Sequence, residues 1–188
     1  MCFGVIFTDM LRSKRLIVGL GAVAALSSAC ALASAAPTKA TTPTAAERAL
    51  LDSHELWATI DVCNPADQPD TVGVRGSMPG DHHAHDRMYM SFRLQYENAS
   101  KQWVDLSSGA SSGFGAVGSG ASARQGGTSF ELKPVAGKPA VTLRGVVDFQ
   151  WRRGGAIVFS TAVPTAAGHK SLAGADPPAY SAATCVIG

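Results

Sequence analysis

Charge is scarce in this chain of 188 residues: Asp, Glu, Lys and Arg make up 16% of it, and the net charge is only +2. An ordinary globular domain carries about a quarter of its residues charged. A disordered polyelectrolyte needs much more charge of one sign, so that class is excluded. Aromatic residues are few at 7%, and cysteines number four. The composition excludes a coiled coil, a collagen and a multi-span membrane protein. Turn formers are plentiful, with 20 Gly and 10 Pro. The length suits one domain together with a targeting or linker segment.

The first segment reads as an export signal. Arg12, Lys14 and Arg15 form a basic start, Leu16 to Leu26 an apolar run, and Ala33-Ser34-Ala35-Ala36 a small-residue cleavage site before Pro37. Residues 1–36 are therefore expected to be a signal peptide, with Met10 as an alternative start. The competing reading is an uncleaved anchor, but Gly19, Gly21 and the Ser27-Ser28 pair weaken the run as a membrane span. Lys14 stands where a twin-arginine signal has its first arginine, so the general secretory route is expected over the twin-arginine one. Leu26-Ser27-Ser28-Ala29-Cys30 resembles a lipobox, but Ser27 stands where an apolar residue is needed; a lipid anchor on Cys30 is disfavoured.

Cleavage would take Arg12, Lys14, Arg15 and Asp9 from totals of 16 basic and 14 acidic residues, leaving a formally neutral chain. Such a chain gives no electrostatic reason to expect nucleic acid as a partner. Cleavage would also remove Cys2 and Cys30. Cys63 and Cys185 remain, and in an oxidising compartment they are expected to form one disulfide. The alternative is a pair of free buried thiols.

Residues 37–53 read as a linker followed by a short helix. The linker is rich in Ala, Thr and Pro, and Thr44-Ala45-Ala46-Glu47 has capping-box spacing ahead of Arg48-Ala49-Leu50-Leu51. Beyond it the period is two. Leu56, Ala58, Ile60 and Val62 alternate with Trp57, Thr59, Asp61 and Cys63; Val72, Val74 and Met78 form a second such face. Met88, Met90, Phe92, Leu94 and Tyr96 oppose Tyr89, Ser91, Arg93 and Gln95. Val141, Leu143, Gly145, Val147, Phe149 and Trp151 oppose Thr142, Arg144, Asp148, Gln150 and Arg152. These are half-buried strands. Gly154-Gly155 then turns the last of them into Ile157 to Thr161, a hairpin. Shorter candidates lie at 102–106, 129–132 and 180–187. Seven or eight short strands without βα alternation predict an all-β antiparallel β-sandwich over residues 54–188.

With that strand number, the buried-tryptophan candidates Trp57 and Trp151, and Tyr180 ahead of Cys185, the domain resembles an immunoglobulin or fibronectin-type sandwich of a secreted bacterial protein. It departs from the immunoglobulin pattern in two ways. The tyrosine lies five residues before the cysteine rather than two, and the cysteines fall on the first and last strands. The resemblance implies a fold and no activity.

Several motifs match letter for letter without their context. Gly113 to Gly118 fits G-x-G-x-x-G, but no buried strand precedes it and no helix follows, so it reads as a loop or an edge strand. Gly109 to Gly113 fits the nucleophile elbow with the same deficit. Asn98-Ala99-Ser100 is a glycosylation sequon in an expected turn, and its default state is unmodified.

One constellation carries chemistry. Asp81-His82-His83-Ala84-His85-Asp86 packs three imidazoles and two carboxylates into six residues after Pro79-Gly80. Imidazole is a common ligand of zinc, copper and nickel, and a carboxylate can fix its tautomer. His82, His83 and His85, with His169 as the distant recruit, are the candidate ligands of a divalent metal. The competing reading is a solvated polar loop. Two functions follow: a secreted, non-enzymatic binding or cell-envelope module, for which a protein or cell-wall component is the expected partner and no cofactor is expected; or, as the alternative, a secreted metal-dependent enzyme. No other nucleophile and base stand together, so the first is preferred and no catalytic residue is assigned.

Overall fold

The computed structural model describes residues 42–107, 109–170 and 173–188. The expected signal peptide lies outside the described residues. Helix α1 (Ala45–Leu51) begins where the capping-box spacing places it. Thr44 Oγ1 accepts from the Glu47 amide at 3.2 Å, and Glu47 Oε2 accepts from the Thr44 amide at 2.6 Å. Two of the helix's orphan donors are thereby satisfied. No helix among the described residues is long and apolar enough to cross a membrane.

Among the described residues nine strands follow: β1 (Trp57–Cys63), β2 (Thr71–Met78), β3 (Arg87–Glu97), β4 (Trp103–Asp105), β5 (Gly115–Ser119), β6 (Arg124–Glu131), β7 (Val141–Arg153), β8 (Ala156–Pro164) and β9 (Cys185–Ile187). They form two antiparallel sheets. The smaller runs β1-β2-β6, and the larger β4-β3-β7-β8, with β5 also on β3 and β9 also on β7. β3 and β7 are the spine of the larger sheet, in register from Arg87↔Arg152 to Tyr96↔Leu143. β5 takes the start of β3's outer edge and β4 its end; β8 and β9 divide the far edge of β7 in the same way.

One apolar core draws on both sheets. Ile60, Val72, Val74 and Met78 come from the smaller; Met88, Met90, Leu94, Val147, Phe149 and Trp151 come from the larger, and each is at most 1% exposed. Two antiparallel sheets sharing one core are consistent with a β-sandwich. The period-two faces of β3 and β7 point as expected: the apolar set is buried except for half-buried Tyr96 and exposed Val141 at the strand ends. Gly145 interrupts the apolar set of β7 for a steric reason. A Cβ there would lie 2.7 Å from both Val74 methyls and 2.8 Å from Thr165 Cγ2, so the two sheets meet over a hydrogen atom.

β1 differs from expectation. Thr59 and Asp61, read as the solvent side of the strand, are buried at 0% and 7% exposed. The reason is the chain between β8 and β9, which covers the open edge and outer face of β1. Ile60 and Ala182 exchange amide bonds at 2.9 and 3.0 Å, and the Asp176 amide donates to Asp61 O at 2.9 Å. Thr59 Oγ1 lies 2.7 Å from Ser181 Oγ. Covering an edge in this way removes a row of unpaired backbone groups that would otherwise template another strand. Beneath the cover Arg75 Nη2 is 3.2 Å from Asp61 Oδ2, and Arg75 Nη1 donates to Ala173 O at 2.6 Å. Burial pushes the Asp61 carboxyl up, and Arg75 offsets part of that. The Cys63–Cys185 disulfide then ties the end of β1 to the start of β9, and so one sheet to the other.

Candidate functional site

The histidine segment connects β2 to β3 and forms one wall of a cleft of ≈ 670 Å³. Leu50 of α1, Ala121 to Ala123, Trp151 and Phe159 contribute the other walls. Trp151 is fixed in this floor by its Nε1, which donates to Pro79 O at 3.0 Å. Phe159 tilts against it with ring centroids 5.3 Å apart.

The loop is tied down by its own backbone. The His82 amide donates to Gly120 O at 2.9 Å, the Gly120 amide to Asp86 O at 2.9 Å, and the Asp86 amide to His83 O at 3.0 Å. His82 takes a left-handed backbone, φ 63°. A Cβ on Gly120 would collide with Asp81 Oδ1, which is why glycine occupies that close crossing.

Within the loop the structure brings together Asp81, His83 and Asp86, whose donor atoms all lie within 4.8 Å of one another. Asp81 Oδ1 accepts from the His83 amide at 3.0 Å, and His83 Nδ1 lies 2.9 Å from Asp81 O. His83 was expected in such a group. Its partners are the flanking carboxylates rather than the other imidazoles. His82 and His85 are exposed and belong to no such group among the described residues. His169 lies in the covering segment instead, where its ring stacks on Trp57 with centroids 4.7 Å apart. Burial there holds its pKa below the usual histidine value.

A residue that the sequence reading passed over governs this cluster. Arg153, at the end of β7, donates from Nε to Asp86 Oδ1 at 2.8 Å and from Nη2 to Asp86 Oδ2 at 2.7 Å. That fork holds the Asp86 carboxyl down at about 2, while burial and the facing Asp86 push Asp81 up. Both Asp86 oxygens are committed to a cation already in place, and the side chain is 1% exposed. A metal ion at Asp86 would approach a guanidinium, and a substrate would find no lone pair in solvent. The one hint in the sequence was Arg152-Arg153 before the Gly154-Gly155 turn; nothing local says which of the two reaches Asp86.

The other motifs have structural roles. Gly115 to Gly118 lies in edge strand β5, paired with β3, and no helix follows it. Ser111, the serine of the elbow pattern, forms an isolated bridge with Arg93. Asn98 closes the β3–β4 hairpin, its Oδ1 accepting from the Ser100 and Gln102 amides at 2.9 Å each. No protein-family model matches the chain, and no curated protein matches it in sequence.

Proposed function

We propose that the protein is exported, that its signal peptide is cleaved near Ala36, and that the mature chain is a non-enzymatic binding or cell-envelope module of immunoglobulin-like type. The observation that carries the non-enzymatic reading is the Asp86–Arg153 fork. It neutralises the buried carboxylate of the one metal-capable cluster among the described residues. General acid–base work needs a group within reach of substrate, and Asp86 is out of reach. The immunoglobulin-like part is supported by the buried Trp151 and by a disulfide that crosses between sheets. The Cys63–Cys185 bridge is compatible with an extracellular location.

A second reading, a metal-dependent enzyme, draws support from the convergence of Asp81, His83 and Asp86 within 4.8 Å. Two measurements separate them. Protein purified without a His tag is expected to contain less than a tenth of an equivalent of zinc, copper or nickel, and to sediment with purified peptidoglycan. Stoichiometric metal together with hydrolysis lost on chelation would replace the first reading by the second.

A further inference from the structure

The arginines of this protein divide sharply into those that meet a carboxylate and those that do not. Arg75 pairs with Asp61 and Arg153 with Asp86, and Arg93 lies 3.5 Å from Asp105 and 3.4 Å from Asp148. Arg48, Arg87, Arg124, Arg144 and Arg152 pair with no carboxylate among the described residues. Three of these, Arg87, Arg144 and Arg152, stand on the outer face of the larger sheet. Arg87 is in register with Arg152, and Gln95 with Arg144, and positions an even number apart along β3 and β7 share a face.

Two of them are built alike. The Arg152 guanidinium lies 4.1 Å from the Tyr89 ring centroid and donates from Nε to Gln150 Oε1 at 2.9 Å. The Arg144 guanidinium lies 4.4 Å from the Trp103 ring centroid and donates from Nε to Gln95 Oε1 at 2.8 Å. Each cation is held over an aromatic ring and tethered by a neutral amide rather than a carboxylate. Arg152 also donates from Nη2 to Gln150 Oε1, and Asp105, which accepts from Gln95 Nε2, acts on Arg144 from beyond ion-pair distance. The tethers themselves carry no charge, and no other guanidinium N–H of either arginine makes a hydrogen bond among the described residues. Arg87 opposite Arg152 adds a like-charge pair, an arrangement that is destabilising on its own. An anion between them would reverse the sign of that contribution.

We propose that this face binds an acidic polysaccharide, with carboxylates docking on Arg144 at one end and on the Arg87–Arg152 pair at the other. The inference deepens the binding-module reading and rests on it. Eight residues of strand separate Arg144 from Arg152, roughly 26 Å at about 3.3 Å per residue, so the ligand is an extended chain. Between the two stations Arg93 faces two carboxylates, Asp105 and Asp148, so the centre carries an excess of negative charge. A polymer with sparse charge tolerates that centre. A nucleic-acid strand, charged at every nucleotide, is repelled by it. Phe114, 43% exposed and 5.4 Å from the Arg152 guanidinium, offers an apolar ring beside the second station for a sugar face. Preordered guanidiniums lose little side-chain freedom on binding.

The test is titration of the purified full chain with hyaluronate, which carries one carboxylate per disaccharide, neutral dextran and oligothymidylate. Hyaluronate is expected to bind, at least about tenfold more weakly when NaCl rises from 50 to 500 mM as screening predicts. Dextran is expected not to bind. The double variant Arg144→Gln, Arg152→Gln is expected to lose at least about tenfold in affinity, and Lys138→Gln, away from this face, to lose none. Arg87→Gln guards against misfolding of the double variant, since its exposed side chain makes no hydrogen bond among the described residues; about a threefold loss is expected. Failure to bind hyaluronate at 50 mM NaCl, undiminished binding by the arginine variants, or tighter binding of oligothymidylate would each overturn the proposal. If the protein sediments with peptidoglycan yet ignores hyaluronate, this inference fails while the binding-module reading stands. If it neither sediments nor binds, both fail.

Discussion

Arg153 grips Asp86 across the mouth of the cleft, two parallel N–H···O bonds of 2.8 and 2.7 Å joining a cation that is 56% exposed to a carboxylate that is 1% exposed. The partners are unequal. Removing the arginine strands a buried anion, whereas removing the aspartate releases a cation that already reaches water. Arg153→Ala is therefore expected to lower the melting temperature more than Asp86→Asn does, by about 5 °C or more at neutral pH.

The same pair fixes a pH dependence. Asp86 has its folded-state pKa held at about 2, below the ordinary aspartate value of 3.8. Its contribution is therefore fully present above about pH 4 and is lost as pH falls through 2. In Arg153→Ala that contribution is gone at the outset, so the difference in stability between wild type and variant is expected to shrink over the same window. Denaturant unfolding at pH 7, 4 and 2.5 measures it; a difference that is constant with pH would disprove the assignment.

Cys63 and Cys185 enclose a segment 122 residues apart in sequence, which in the chain-entropy account stabilises the fold by roughly 5 kcal/mol. Thiol counting on denatured, unreduced protein is expected to give zero. Reduction is expected to lower the melting temperature but leave the far-ultraviolet strand signal, because ten core side chains at most 1% exposed join the sheets independently of the bridge. Two free thiols, or loss of the strand signal on reduction at 25 °C, would contradict this.

How far the sequence was legible follows from the range of each signal. Period-two runs report a local fact, which side of a strand is apolar, and so β3 and β7 could be read almost residue by residue. The capping box at Thr44 and Glu47 is equally local. Long-range covering is not: nothing near Thr59 or Asp61 reveals that residues 173–183 will lie over them, and they read as solvent-facing. β5 stayed open between a loop and an edge strand because Gly115 to Ser119 has little side-chain pattern to show, its strand state being imposed by β3. At the candidate site the histidines drew attention by their density. The residue that decides its chemistry, Arg153, stands 67 positions from Asp86. The arginine face lies between these extremes: Arg144, Arg152, Tyr89 and Gln95 were placed outward by periodicity, but stacking of particular cations on particular rings depends on register, which spacing alone does not give.

Gly145 tests the closeness of the two sheets. Gly145→Ala places a methyl group 2.7 Å from Val74 Cγ1 and Cγ2 and 2.8 Å from Thr165 Cγ2, inside a core whose neighbours cannot all retreat. Overpacking of this kind is expected to cost about 2 kcal/mol. Gly115→Ala is the control, since its added Cβ meets nothing within 4 Å; a change below about 0.5 kcal/mol is expected. Equal effects at the two sites would refute the packing argument.

The histidines give the last test, because the loop and metal readings diverge on it. His82, His83 and His85 are exposed, and the loop is held by backbone bonds that their replacement leaves intact. The triple change to Ala is expected to alter stability by less than about 0.5 kcal/mol, as at surface sites generally. Micromolar zinc or copper is expected to leave the melting temperature of both proteins unchanged. A site that holds an ion in the folded state alone would raise it by mass action. That rise would fade as pH dropped below about 6.5, where protons compete for imidazole. His169 serves as an internal reference: its proton-NMR titration midpoint is expected below about 6.5, because burial against Trp57 opposes its charged form, and to move up in Trp57→Ala. A large zinc-dependent shift that vanishes in the triple variant would mean that Arg153 yields Asp86 to a metal. The enzyme reading would then take precedence over the binding module.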